Sequence, residues 1–274
     1  MDPASRLSEC YRKVRSSIFF SATLSPMDYF RRMLGLMAAP TLQLPSPFPR
    51  ENLCIASVEY LPTVYRQRES SLTGLCRCLR DMAQAKPGCY FAFFPSYQYM
   101  QLAHQLFTCL FPDIAAPIQA SGMDDEARRQ FLEQFTPQPE HSMLAFAVMG
   151  GLFSEGIDLV GDRLSGAAIV GVGLPQIDME GNVLRSYHDS LEEDGFAYAY
   201  AYPGFNRVMQ AAGRVIRTED DRGVVLLIDP RFSQWRYQVL FPDHWLPLPR
   251  INNETELQNL LQHFWENESP SSNV

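Results

Sequence analysis

Short stretches poor in polar side chains recur along the chain, at residues 17–21, 53–59, 89–94, 143–148, 167–172 and 224–228. They are rich in β-branched and aromatic residues and bounded by turn-forming ones, which predicts strands. Several, such as 143–148 and 224–228, are apolar throughout, as in a parallel sheet covered on both faces. Between them, apolar positions recur at helical spacing over 27–36, 68–84, 97–110, 124–135 and 205–217. In 124–135, Ala127, Phe131, Leu132 and Phe135 form one packing face. In 205–217, Phe205, Val208, Met209, Ala212 and Ile216 fall within an arc of roughly 100°, while Arg207, Gln210, Arg214 and Arg217 take the opposite side. Strands alternating with helices predict an open α/β fold, whose ligands gather at loops leaving the carboxyl ends of the strands.

Three segments break the alternation. Residues 40–49 carry Pro40, Pro45, Pro47 and Pro49 and read as an extended connector. Residues 174–203, rich in tyrosine and acidic side chains, read as an insertion, and 266–274 as a polar, disordered tail. No apolar run approaches the roughly 20 residues that span a bilayer, and the start lacks a basic-then-apolar leader pattern, so a cytoplasmic protein without a membrane partner is expected. The six cysteines are scattered and read as reduced thiols; Cys76 and Cys78 are close, but no second pair completes a metal or cluster site. The formal net charge of −8 over 274 residues argues against coating nucleic acid by bulk electrostatics, so any such contact must be local.

The candidate chemistry sits in four runs. Near the start, Ser21, Thr23 and Ser25 precede Pro26 and Asp28, which by itself is a helix cap. After 89–94 comes Ser96, an N-cap or a phosphate contact, and Tyr97, a packing residue or a stacking platform for a base or adenine. After 143–148, a loop with Gly150, Gly151, Ser154, Glu155, Gly156 and Asp158 could bring backbone amides up to an anion, although such loops are more often plain turns. In the last run, Gln210, Gly213, Arg214 and Arg217 are spaced Q-x-x-G-R-x-x-R. Arginine's planar fork suits phosphate oxygens, although an anonymous basic helix face usually just meets water.

Taken in order, these runs resemble motifs III (S-A-T-L), IV (F-F-x-S-Y), V (S-E-G-I-D) and VI of superfamily 2 helicases. The continuation through Asp221, Gly223, Asp229 and Arg231 is similar to the DinG/XPD type, and the resemblance runs from about residue 16 to 232. It implies the second, C-terminal motor domain: RecA-like (P-loop NTPase-like), with an open, mainly parallel sheet and helices on both faces. Residues 1–40 would close the first motor domain with motif III and the linker, and 41–265 would form the second.

By this resemblance Arg214 and Arg217 reach ATP on the first RecA-like domain, with Arg217 the arginine finger and Gln210 a nucleotide contact. Gly156, Asp158, Glu155, Gly213, Ser21 and Thr23 would couple ATP state to the grip on DNA. Ser96, Tyr97, Ser154 and Arg207 would contact single-stranded DNA, along which the parent would move 5′ to 3′ in replication or repair. The sequence departs from the family at Gln176, where a Phe is common. It also holds no G-x-x-x-x-G-K-[ST] loop and no D-E-A-H box. ATP and Mg²⁺ would therefore be held mainly by the first motor domain, this chain alone would not hydrolyse ATP, and any iron–sulfur cluster would belong to the rest of the parent. Two other readings stay open: a stand-alone nucleic-acid-binding module, and a degenerate RecA-like interaction scaffold.

Overall fold

The computed structural model describes residues 3–151, 153, 159 and 163–267. Its centre is one six-stranded sheet: β1 (Leu53–Val58), β2 (Cys89–Phe94), β3 (Met143–Val148), β4 (Gly166–Val170), β5 (Gly223–Ile228) and β6 (Arg250–Ile251). The strand order is β3-β2-β4-β5-β1-β6, and every pairing is parallel. Parallel neighbours need crossovers, which the intervening helices supply. On the second strand, Cys89, Phe91 and Phe93 enter one hydrophobic cluster while Tyr90, Ala92 and Phe94 enter the other, the two-residue period of a strand buried on both faces.

Helices cover each face. The first cluster is closed by α5 (Asp125–Glu133) and α7 (Tyr202–Ala212), with Phe91 stacked on Phe135 at 4.6 Å between ring centres. The second is closed by α3 (Arg68–Ala85), α4 (Tyr97–Leu110) and α9 (Glu254–Glu266). The chain also forms α1 (Ala4–Tyr11), α2 (Met27–Met33), α6 (Met179–Ser190) and the short α8 (Trp235–Gln238). A RecA-like α/β sheet with helices on both faces is thus the fold found.

Several expectations shift in detail. Residues 17–21 form no strand; no strand lies beside them among the described residues, and Ile18 and Phe20 are 83% and 90% exposed. An isolated strand has no partner for its backbone groups. The second helix stops at Met33 because Gly35 takes φ +69°, and its N-cap is Pro26 rather than Ser25, without a side-chain cap bond. The fifth begins at Asp125, with Asp124 accepting from the Ala127 N–H at 2.8 Å as its cap. The 174–203 insertion contains α6 and a π-helical turn, Ala197–Ala201, that runs straight into α7. It is clasped by the N-terminal segment: Arg32 pairs with Glu193 at 2.6 Å, and the Tyr29 ring meets Tyr198 and Tyr202 at 5.4 and 5.0 Å.

Residues 40–45 form no element, in keeping with the proline-rich connector. The tail expected from Glu266 is corrected at its start, because α9 runs through Glu266 with Leu257, Leu261 and Trp265 buried at helical spacing; the rest of that expectation, residues 268–274, lies outside the described part. Of the cysteines, Cys10 and Cys109 are exposed and four are buried. Burial pushes the Cys54 and Cys76 thiols up to about 12, Arg222 pulling slightly the other way at Cys54, and it raises Cys78 and Cys89 as well. The thiolate is the reactive form. Titration of the native chain with a disulfide reagent is therefore expected to show two fast thiols, with the remaining four reacting only after denaturation; fast reaction of all six would contradict this packing.

Candidate functional site

The last helix of the candidate chemistry is seated by a glycine pair. Gly173, with φ +71°, follows the fourth strand, and a Cβ on it would lie 2.3 Å from the Gly204 carbonyl oxygen in the first turn of α7. Only backbone fits at that crossing, so the helix lies directly on the strand's carboxyl-end loop. About one turn further, Arg207 crosses Gly150, which has φ +70°; a Cβ there would sit 2.9 Å from the Arg207 Nε. The start of the motif V loop and the motif VI helix are therefore neighbours.

The motif VI residues do not share one helical face. The helix ends at Ala212 with Gly213 as its C-cap, and Arg214 and Arg217 stand in the following turns. Glycine is a poor helix former, and two local forces finish the helix there. Val215 is buried against Gly223, where an added Cβ would lie 2.3 Å from the valine's Cγ1. The Asp221 carboxylate, 5% exposed, accepts from the backbone N–H groups of Arg217 and Thr218 at 2.6 and 2.7 Å. The acidic run after motif VI thus folds back onto the backbone and holds the turn that carries Arg217. Removing a buried acceptor strands its donors at a cost of roughly 1–3 kcal/mol. Asp221→Ala is accordingly expected to lower stability by about 2 kcal/mol in chemical denaturation; a change near zero would mean that water replaces the carboxylate without loss.

Motif IV sits at the carboxyl end of the second strand. Ser96 is the N-cap of α4, accepting from the Tyr99 N–H at 3.3 Å, so the bland cap geometry is present whatever else its hydroxyl does. The Tyr97 hydroxyl accepts from the Gln119 side-chain amide at 3.0 Å, and the same side chain's oxygen accepts from the Val148 N–H at 2.9 Å. Gln119 is 3% exposed and its own N–H donates to Phe146 O at 2.8 Å. Sequence reasoning missed this residue, which bridges motif IV to the strand feeding motif V. Its only sequence signal is a polar side chain following Pro117 and Ile118 in an apolar run.

A second group, whose Asp229 and Arg231 carried the resemblance but whose pairing with each other and with Thr63 was not read from sequence, closes the carboxyl edge between the first and fifth strands. Asp229, fully buried, takes Arg231 in a two-pronged pair, Nε to Oδ1 and Nη2 to Oδ2, both at 2.8 Å, and also accepts the Thr63 hydroxyl. Burial works to lower the Arg231 pKa, but the hydrogen bonds and charge of Asp229 outweigh it and leave it raised.

Ser21 is exposed and Thr23 half-buried beside it, their hydroxyls 3.2 Å apart, with the Thr23 N–H donating to Ser21 Oγ at 3.1 Å. Gln210 and Arg207 are half-buried on α7. Ser154, Glu155, Gly156 and Asp158 lie outside the described residues. Among the described residues, no group of three or more His, Cys, Asp or Glu is placed to hold a metal, and no helix is long and apolar enough to cross a membrane.

Known proteins are similar to this chain in sequence and in fold. The helicase C-terminal domain family matches residues 79–248. The chain is 26% identical over 274 residues to the XPD/RAD3 helicase subunit of the general transcription and DNA repair factor IIH of Saccharomyces cerevisiae, covering 87% of this chain and 33% of that protein. It is 30% identical over 250 residues to the ATP-dependent DNA helicase YoaA of Escherichia coli, covering 88% of this chain and 37% of YoaA. It thus spans about a third of the length of these relatives. In fold it is similar to a solved apo XPD structure, with a TM-score of 0.68 at 20% identity over 91% of this chain and 51% of the other. With the match covering most of the chain and both relatives being helicases, the chain belongs to the helicase C-terminal domain family, in its XPD/DinG branch of superfamily 2.

Proposed function

We propose that this chain is the second motor domain of an ATP-dependent DNA helicase of replication or repair, one that moves 5′ to 3′ on single-stranded DNA. In this proposal Arg217 is the arginine finger that completes an ATP site on a first RecA-like domain, and Arg214 and Gln210 contact the same nucleotide. The observation that carries it is the adjacency of the motifs: Arg207, on the helix that leads into motif VI, against Gly150 of motif V, and Tyr97 of motif IV tied through Gln119 to the strand entering motif V. A change at one motif is mechanically felt at the others, as a motor coupling nucleotide state to DNA grip requires.

Ser96, Tyr97, Ser154 and Arg207 would touch the strand, while Gly156, Asp158, Glu155 and Gly213 would relay nucleotide state. Ser21 and Thr23 would do so from the first domain, to which residues 1–40 belong in this proposal. The exposure of Ile18 and Phe20 supports that division, since a strand from the first domain's sheet would find its partners there. ATP and Mg²⁺ would be held chiefly by that domain, because this chain offers no lysine-bearing phosphate loop. The protein would work in whichever compartment holds the DNA.

The test is strand binding by the chain itself, followed as fluorescence anisotropy of a labelled oligothymidylate across a salt series. A motor half with a net charge of −8 should bind weakly, because only a few local cations meet phosphate, lose affinity as salt rises with a slope set by those few contacts, and prefer the single strand to duplex. Absence of binding at low salt would contradict the DNA contacts. Tight binding that Arg217→Ala leaves unaltered, with no nucleotide dependence once a first motor domain is joined, would favour a stand-alone binding module.

A further inference from the structure

At the carboxyl edge of the sheet, beside motif IV, the guanidinium groups of Arg231 and Arg68 stand near each other, and the one carboxylate there serves only the first. Both Asp229 oxygens are taken: Oδ1 by the Arg231 N–H and Nε, Oδ2 by the Arg231 Nη2 and the Thr63 hydroxyl. Arg68 is left without one. Its Nε donates to the Thr63 carbonyl at 3.0 Å and its guanidinium lies 4.6 Å from the Tyr99 ring centre and 5.5 Å from that of Tyr65, but among the described residues it makes no ion pair. Partial burial, and then the neighbouring charge of Arg231, hold its pKa below the usual arginine value.

Its position in the fold sharpens the imbalance. Arg68 is the first residue of α3, an 18-residue helix, where the helix dipole favours an anion and disfavours a cation. A half-buried cation at a helix N-terminus, with the nearby carboxylate already committed, is one unit of positive charge awaiting an anion. Beside it, the Tyr65 ring is 76% exposed although Arg68 lies over it. An exposed aromatic face next to an open guanidinium matches the alternation of base and phosphate along a single strand.

The neighbourhood is continuous with motif IV. Tyr99, under Arg68, is the residue whose N–H the Ser96 hydroxyl caps. A Cβ on Gly171 would touch both the Thr63 hydroxyl, at 3.1 Å, and Pro95, at 4.0 Å. Arg217, by contrast, stands on the segment entering the amino end of the fifth strand, at the other edge of the sheet. The phosphate-bearing ligand that fits the carboxyl-edge group is therefore the nucleic-acid strand rather than the nucleotide.

We propose that Arg68 and Tyr65 form a strand subsite next to motif IV, Arg68 receiving a phosphodiester of single-stranded DNA and the Tyr65 ring stacking on an adjacent base. The subsite rests on the strand-binding reading given above and extends it to residues outside the helicase motifs.

The test uses the same anisotropy measurement on the whole chain, comparing wild type with Arg68→Gln, Tyr65→Ala and Tyr65→Trp. Arg68→Gln is expected to weaken binding about tenfold, as for a lost charge-assisted contact, and to reduce the slope of log affinity against log salt by about 0.7, the share of one single-strand phosphate. Tyr65→Ala is expected to weaken binding about five- to tenfold with the slope unchanged, and Tyr65→Trp to keep wild-type affinity. Because Tyr65 is exposed, its variants remain readable even if Arg68→Gln perturbs folding, which thermal unfolding would reveal. Wild-type affinity and slope in both Arg68→Gln and Tyr65→Ala would overturn the subsite while leaving the motor reading standing. A wild-type chain that does not bind the oligonucleotide at low salt would overturn both.

Discussion

Arg217→Ala in a protein that joins this chain to its first motor domain is expected to lower DNA-stimulated ATP turnover by about 10³-fold or more, with nucleotide affinity nearly kept. The size follows from what an arginine does beside a transferring phosphoryl group: it meets charge that develops only in the transition state, so its loss falls on kcat rather than on KM. Arg217 is suited to this role because its side chain is exposed while its backbone is pinned, through the Asp221 carboxylate, to a turn the strand start holds in place. Arg217→Lys should recover little, since an ammonium lacks the planar fork. Turnover within about threefold of wild type in Arg217→Ala would remove the finger from this position, since genuine fingers are worth far more.

Asp229→Ala is expected to cost the fold about 3–5 kcal/mol, because it leaves the Arg231 guanidinium, whose side chain is 25% exposed, beside an empty site with its charge uncompensated. Asp229 also ends the buried fifth strand and receives the Thr63 hydroxyl from the loop after the first, so the pair ties together two adjacent strand ends. A loss of that size is a large share of the roughly 5–15 kcal/mol that holds a domain together. Urea unfolding would read it as a lower midpoint at unchanged slope. A double variant, Asp229→Ala with Arg231→Met, should recover part of the loss, because no buried charge is then left unpaired. A single variant within about 1 kcal/mol of wild type would mean that the pair carries little net stabilisation, as exposed pairs do.

The contrast between these two residues shows where the sequence was legible. The buried strands were plain, since runs such as 89–94 and 143–148 are apolar at every position and match the observed limits of β2 and β3. The motif glycines carried local geometry too, with Gly150 and Gly173 both at positive φ where backbone must pass close to a neighbour. The placement of Arg214 and Arg217 on one helical face was not correct. A wheel assumes that the helix continues, whereas Gly213 weakens it and the carboxylate of Asp221, four residues past Arg217, offers the backbone N–H groups a competing acceptor.

Residues 17–21 carry a strand's pattern but no strand, because pairing depends on a neighbour the local pattern does not contain. Gln119 and Arg68 escaped for a related reason. Their partners, Tyr97 and Val148 for one, the Tyr99 ring for the other, come together only through the sheet order. The final helix is different: Leu257, Leu261 and Trp265 repeat every four residues, a helical signal legible in the sequence itself although it runs into a polar end.

The central claim is that this chain is half of a motor, and ATP turnover tests it most directly. Hydrolysis should be measured for the chain alone and for the chain joined to a motor domain carrying a phosphate-binding loop, each with and without single-stranded DNA. The predicted result is no turnover for the chain alone, and DNA-stimulated turnover for the joined protein that falls when Arg217 is replaced. Turnover in the joined protein that is indifferent both to DNA and to Arg217 would contradict it, and would leave the chain as a RecA-like scaffold.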